Sequence, residues 1–259
     1  MAAVELQDGR RLTYSAAGPA RGYPIVYLHG AIGSPRWRTP ALDALIGELG
    51  IRFVVVHRPG FAGSDAHSGR TVASHAADVS ELADALGWGR FSILGVSAGA
   101  PYALACAWAM GRRVARAAAV SCLPPPAVAA PRARLRARYR VPLAAFATPW
   151  IGGVMARAAL SATGTRSATA PRAMVEDYLV CCRDWGFAPE GIRTAVTFWH
   201  ARHDRLVPLA HARAVAASVP SSTLELSQGG HFFLRRQVRE VVGSLAEPIG
   251  HVEPLRAAA

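Results

Sequence analysis

The sequence contains no lysine and no asparagine, so all 29 basic side chains are arginines. Against 17 acidic residues they leave a formal net charge of +12, an excess that by itself would suggest nucleic acid or an anionic surface as partner. No recognisable nucleic-acid motif accompanies it, and the abundance of Ala, Gly and Pro beside the missing Lys looks like the codon usage of a GC-rich genome. The densest basic run, Arg132, Arg134, Arg136, Arg138 and Arg140, recurs at every second position. On a helix that spacing spreads charge around the circumference instead of gathering it in one stripe. The expectation is a solvated segment and no nucleic-acid partner.

Other absences narrow the class further. Charged residues make up only 18% of the chain against 51% hydrophobic, which excludes an intrinsically disordered protein. The opening residues MAAVELQDGRRLTYS lack the basic start and the apolar stretch of roughly 7 to 15 residues that mark a secretory signal. No run of about 18 apolar residues offers a membrane span. Cysteine is sparse: Cys106, Cys122, Cys181 and Cys182 show no zinc-ligand spacing, and the adjacent last pair suits a reducing interior better than a disulfide framework. A cytoplasmic protein without metal or cofactor is expected.

What is present alternates. Short apolar runs of strand type fall at 25–28, 53–56, 91–94, 117–120, 195–199 and 223–226, with a hairpin at 4–6 and 11–14 turned by Asp8 and Gly9. Ala-rich segments that fit helices lie between them, at roughly 41–49, 72–86, 98–110, 209–218 and 232–245. Strands alternating with helices predict an α/β protein with a mostly parallel sheet covered on both faces. One stretch of about 70 residues breaks the rhythm, opened by Pro124, Pro125 and Pro126. It is too long for an ordinary loop and is read as a helical insertion over one end of the sheet. The boundaries are then 1–123 and 191–259 for the core domain and 124–190 for the insertion.

The strongest local signal is Gly95-Val96-Ser97-Ala98-Gly99, directly after an apolar strand and directly before an Ala-rich helix. A sharp strand-to-helix turn strains the central serine and demands small neighbours, which Gly95, Ala98 and Gly99 supply. Pro101 suits the first turn of the helix that follows. A serine hydroxyl is a poor nucleophile until a base takes its proton. Of nine histidines, His231 is the best placed, since it follows the last strand and the pair Gly229-Gly230 and opens the last helix. The imidazole in turn needs a carboxylate to fix its tautomer, and where the serine sits on a strand-turn-helix elbow the triad runs Ser, acid, His along the chain. Asp204 lies just past the strand at 195–199, while the loop after the preceding strand reads Ser121-Cys122-Leu123 and offers none. Asp177 and Asp184 stand as reserves. An attacked carbonyl also needs two fixed donors for its developing charge. Ala98 N–H at a helix start is one, and Ala31 N–H in His29-Gly30-Ala31 is the other.

His29-Gly30, the loop from His57-Arg58-Pro59-Gly60 to Ser64-Asp65, the turn at 95–99, the Asp204 loop and Gly230-His231 come in the order seen in the α/β-hydrolase superfamily. From about residue 4 to 246 the chain resembles small bacterial serine hydrolases with a helical cap, including a sequence like Trp185-Gly186-Phe187 before the acid-bearing strand. The resemblance implies an α/β-hydrolase fold, Ser97 as nucleophile, Asp204 as acid, His231 as base, and Ala31 and Ala98 as oxyanion donors. Two positions depart from the family pattern: His57 where an acidic residue is frequent, and Ala201 where glycine is common. A serine in the nucleophile position sets the chain apart from the haloalkane dehalogenase and epoxide hydrolase branches. The lack of asparagine argues against the C–C hydrolase branch, and His29-Gly30-Ala31-Ile32 lacks the Gly-Pro pattern of aminopeptidases. Hydrolysis of carboxylic esters with small or medium apolar acyl groups is the leading expectation. Lactone, thioester or C–C cleavage and a non-catalytic ligand-binding role are the alternatives. Trp150, Met155, Tyr178, Trp185 and Phe187 are candidate pocket residues, the partner is a small ester-like molecule, and the chain is expected to be a monomer or homodimer.

Overall fold

The computed structural model describes residues 1–31, 37–125, 154 and 170–246. Eight strands form one sheet: β1 (Ala2–Glu5), β2 (Arg11–Ala17), β3 (Tyr23–Leu28), β4 (Ile51–Val56), β5 (Phe91–Val96), β6 (Val114–Val120), β7 (Val196–Ala201) and β8 (Ser222–Ser227). Their spatial order is β1-β2-β4-β3-β5-β6-β7-β8. Only the β1–β2 and β2–β4 pairings are antiparallel, so six consecutive neighbours from β4 to β8 run the same way.

The inner strands are continuous apolar runs because both faces of the sheet are covered. In β4, Val54 and Val56 enter one core cluster while Ile51, Phe53 and Val55 enter the other. The first cluster takes in residues of α2 (His75–Ala85), α3 (Ala100–Met110) and α5 (Leu209–Ser218). The second is closed by α1 (Pro40–Leu49) and α6 (Val238–Gly243). A further helix, α4 (Ala170–Cys181), places Ala173, Met174 and Val175 against Phe61. Local chemistry sets the ends of α1. Thr39 accepts a bond from Leu42 N–H, Pro40 occupies the first turn, and Gly50 closes the helix in the left-handed conformation with its N–H on Ile46 O.

Two helical expectations change. The segment expected to be helical from 72 begins at His75, because Thr71 and Ser74 exchange side-chain-to-backbone bonds that form a turn ahead of it. The single helix expected over 232–245 is instead a 3-10 turn, Phe233–Arg235, followed by the short α6. Between the buried Phe233 and the buried pair Val241 and Val242 the sequence is mostly polar, so no continuous apolar face holds one straight helix. His231 therefore sits in a turn and does not open a helix.

The strand order reverses direction at β3, which has β4 on one side and β5 on the other. In such sheets the crevice beyond the carboxyl ends of the strands is where ligands bind. Leu28 at the end of β3 pairs in parallel register with Gly95 near the end of β5. The loops that leave these two strands start side by side.

Candidate active site

β5 ends at Val96 and passes straight into the 3-10 turn Ser97–Gly99 and then α3. Ser97 has φ 54°, in the left-handed region, which costs a residue with a β-carbon about 1–2 kcal/mol. The turn fits only because its neighbours lack side chains. A β-carbon on Gly95 would lie 2.5 Å from Gly99 O and 2.7 Å from Ala103 Cβ. One on Gly99 would overlap Leu28 O and come within 2.5 Å of His29 O. The end of β3 is thus pressed against the serine turn, and the β-carbon of Ser97 is only 3.6 Å from where one on Gly30 would be.

His231 joins the two other residues singled out from the sequence. Its Nδ1 is 2.8 Å from Asp204 Oδ2 and its Nε2 is 3.0 Å from Ser97 Oγ. Burial pushes the Asp204 carboxyl up, but the bonds from His231 and from two backbone N–H groups outweigh it and hold the group below its usual range. The carboxylate is therefore ionised near neutrality and can only accept. Nδ1 carries the proton, and Nε2 is left to accept from the Ser97 hydroxyl. The other carboxylate oxygen, Oδ1, takes the N–H groups of Leu206 at 2.8 Å and Val207 at 2.9 Å, so both oxygens of this buried group are engaged.

A second imidazole approaches the same carboxylate. His200, at the end of β7 and fully buried, has Nε2 3.9 Å from Asp204 Oδ2 and 3.2 Å from Val207 O. Burial holds its pKa below the ordinary histidine value, so near neutral pH it is an uncharged donor to Val207 O. Sequence position alone did not mark it.

Of the two segments expected to supply backbone donors, one is the turn of Ser97 itself and the other, at Gly30, lies close against it. Ser97 O accepts from Ala100 N–H in the first turn, and Ala98 is buried. In the second segment, His29 Nδ1 is 2.8 Å from Gly30 O and its Nε2 is 3.4 Å from Arg58 N. Burial and the neighbouring Arg58 cation hold His29 well below the ordinary histidine pKa. Arg58 is the centre of a larger network that sequence reading missed. Its Nη1 donates to His29 O, and its Nη2 to Gly30 O at 3.3 Å. Nε and Nη2 reach the two oxygens of Asp177 on α4 at 3.1 and 2.7 Å. Tyr102 O–H adds a bond to Asp177 Oδ1 at 2.8 Å, and the guanidinium lies over the rings of Tyr102 and Phe61. His57, at the position where the family often has an acid, is bonded to Ser15 Oγ at 3.0 Å. Burial, aided by the chain's N-terminal charge, lowers it to about 4.

The remaining candidates divide. Trp150 and Met155 lie outside the described residues. Tyr178 is half-buried on α4. Trp185 and Phe187 do not fit the expectation of pocket lining. Trp185 is almost fully buried, donates to Cys181 O and stacks on Phe187, which stacks on Trp108. Trp108 is in the last turn of α3, while Trp185 at the other end of the stack is bonded to Cys181 at the end of α4, so this aromatic row packs into the core cluster. Among the reserve acids, Asp177 is committed to Arg58, and Asp184 is exposed and bonded to Gly186 N–H.

The described helices include none long and apolar enough to cross a membrane. Comparison with known proteins agrees with the architecture. A family model described as the alpha/beta hydrolase fold matches residues 23–148. A non-heme chloroperoxidase of Streptomyces lividans is 34% identical over 128 residues, covering 48% of this chain and 46% of that protein. The chain thus matches about half the length of this curated relative. An enol-lactonase from Burkholderia xenovorans superposes with a TM-score of 0.70 at 19% identity, over 95% of this chain and 100% of that one. An esterase from a Rhodococcus species does so with a TM-score of 0.68 at 22% identity, over 95% and 98%. The sheet order, the left-handed serine turn and these superpositions agree on one architecture: the chain has the α/β-hydrolase fold, and residues 23–148 match the family model of that fold.

Proposed function

We propose that this protein is a serine hydrolase that works by acyl transfer through Ser97, His231 and Asp204, on carboxylic esters of small or medium apolar acyl groups. The observation that carries the reading is the unbroken row Asp204 Oδ2, His231 Nδ1, His231 Nε2, Ser97 Oγ at 2.8 and 3.0 Å, with the serine in a left-handed turn. His231 Nε2 takes the hydroxyl proton as Ser97 Oγ attacks the carbonyl carbon. Asp204 holds the tautomer in which Nε2 is free to accept and stabilises the imidazolium that forms. The N–H groups of Ala31 and Ala98 bind the oxyanion. His231 returns the proton to the departing alkoxide, then deprotonates water to release the acid. The exposed Phe232, whose ring lies 5.3 Å from that of His231, supports an apolar acyl group over a charged one. The insertion expected at 124–190 lies for the most part outside the described residues, and Tyr178 on α4 is its described candidate for the acyl site.

The test is a panel of p-nitrophenyl esters of graded acyl length, run with lactones and thioesters on the parent and on Ser97→Ala. A serine-directed fluorophosphonate is applied to the same pair. Ester turnover and labelling in the parent, both lost in Ser97→Ala, are expected. Equal labelling of the two proteins, or turnover that survives the substitution, would remove Ser97 from the chemistry.

A further inference from the structure

The network around Arg58 is larger than a buried ion pair needs. An Arg–Asp pair is satisfied by the two bonds between Arg58 and Asp177, yet the guanidinium also donates to two successive backbone carbonyls, His29 O and Gly30 O. The second carbonyl has a particular geometry. Gly30 C=O and Ala31 N–H belong to one planar trans peptide, so they point in opposite directions. Whatever holds the oxygen fixes the direction of the N–H. Two donors hold it here: Arg58 Nη2 at 3.3 Å and His29 Nδ1 at 2.8 Å. The His29 tautomer is set in turn by Arg58 N–H, which donates to Nε2. The opposite donor is aimed in the same way, because Ser97 O, in the same peptide as Ala98 N–H, accepts from Ala100 N–H.

We propose that Arg58 and His29 are positioning residues of the oxyanion site, holding the Gly30 carbonyl so that Ala31 N–H faces the reacting oxygen beside Ser97, with Asp177 on α4 holding Arg58 in place. This rests on the serine-hydrolase reading above. The cation does more than orient. A positive charge on a carbonyl oxygen polarises its peptide and makes the attached N–H a stronger donor, an effect enlarged by the low dielectric of a buried site. Arg58 and Asp177 are both fully buried, and the flat guanidinium lies over the rings of Tyr102 and Phe61. The same helix reaches the other side of the site through Cys181, whose Sγ is 3.5 Å from Ala98 O. α4 thus touches both segments that carry the proposed donors.

Two variants test this. In the double variant Arg58→Met/Asp177→Asn both members of the pair lose their charge together, so neither is left as a lone buried charge, the nearby Arg70 keeps Glu176, and Tyr102 O–H keeps an acceptor. Arg58→Lys keeps the charge but cannot fork between a carboxylate and two carbonyls. Each is assayed for kcat and KM on the best ester and for Ki of a trifluoromethyl ketone, whose serine adduct carries an oxyanion. Loss of a whole oxyanion donor costs about 100- to 1,000-fold, so a misaimed one is expected to lower kcat by roughly 10- to 100-fold and raise the ketone Ki by a similar factor, with KM little changed. A merely structural role would reduce the active fraction and leave Ki where it was. An unchanged Ki in a folded variant therefore overturns the proposal, and should the double variant not fold, Arg58→Lys decides by the same measure. A parent that takes no fluorophosphonate at Ser97 would instead refute the hydrolase reading, an outcome no Arg58 result can imitate.

Discussion

Replacing Asp204 by asparagine changes one atom and reverses the polarity of the whole row. Oδ1 of Asp204 already accepts two backbone N–H groups, from Leu206 and Val207, and an amide NH2 placed there would confront two donors. The asparagine is therefore forced to keep its oxygen on that side and turn its NH2 toward His231 Nδ1, where Oδ2 now sits at 2.8 Å. An NH2 can only donate, so Nδ1 must become the acceptor and the ring proton moves to Nε2. At 3.0 Å from Ser97 Oγ, Nε2 then carries a hydrogen where it needs a lone pair. The fold has no reason to change, but the base is presented the wrong way round. A tautomer error of this kind costs about 10,000-fold in kcat in a serine protease, or about 5 kcal/mol of transition-state stabilisation. A loss of roughly 1,000- to 10,000-fold in kcat/KM on the best p-nitrophenyl ester is expected for Asp204→Asn. Its thermal unfolding should remain within a few degrees of the parent. An Asn variant that keeps more than about a tenth of parental activity would show that Asp204 does not set the tautomer, and the argument from its two backbone bonds would fall.

Ser97→Gly should be inactive yet about 1 kcal/mol more stable than Ser97→Ala, because glycine accepts φ 54° without strain; calorimetry checks it, and equal stabilities would show that the turn stores no strain. Gly99→Ala should prevent recovery of folded protein or cost more than about 3 kcal/mol, since its methyl group would overlap Leu28 O; denaturant titration gives the answer. Asp78, buried on α2, is pushed up by burial but held below the usual carboxylate range by His75 and Arg10. Its folded pKa lies below the unfolded one, so its contribution is complete above about pH 5 and is lost as pH falls through the acid range. Asp78→Asn is expected to cost about 2–4 kcal/mol at pH 7 and to flatten the decline of stability in acid, read from unfolding curves between pH 7 and 3.

Much of this was legible because the relevant signals are local. Strands buried on both faces are continuous apolar runs, and Gly95-Val96-Ser97-Ala98-Gly99 announces a turn whose steric demands are met within five residues. Asp204 and His231 could be placed from their loops alone, since each follows the end of a strand in the sheet. The network behind Gly30 was hidden for the opposite reason: Arg58 and Asp177 are 119 positions apart, and nothing near either one names the other. Asp177 stood among the reserve acids because a carboxylate in the right interval is visible and its partner is not. His200 next to Asp204 was missed because a buried histidine at a strand end has no pattern to distinguish it. The last helix is shorter than the segment 232–245 suggests, because the polar stretch between Phe233 and Val241 gives it no continuous face to bury.

The three members of the row are spread along the chain, with the serine at 97, the carboxylate at 204 and the imidazole at 231. Synthesis proceeds from the amino end, so a ribosome exposes the serine turn more than a hundred residues before its partner ring has been made. During that interval the hydroxyl has no His231 to receive its proton. Under the proposed mechanism the growing polypeptide is therefore chemically silent, and Ser97 gains its base only after the last strand of the sheet has docked.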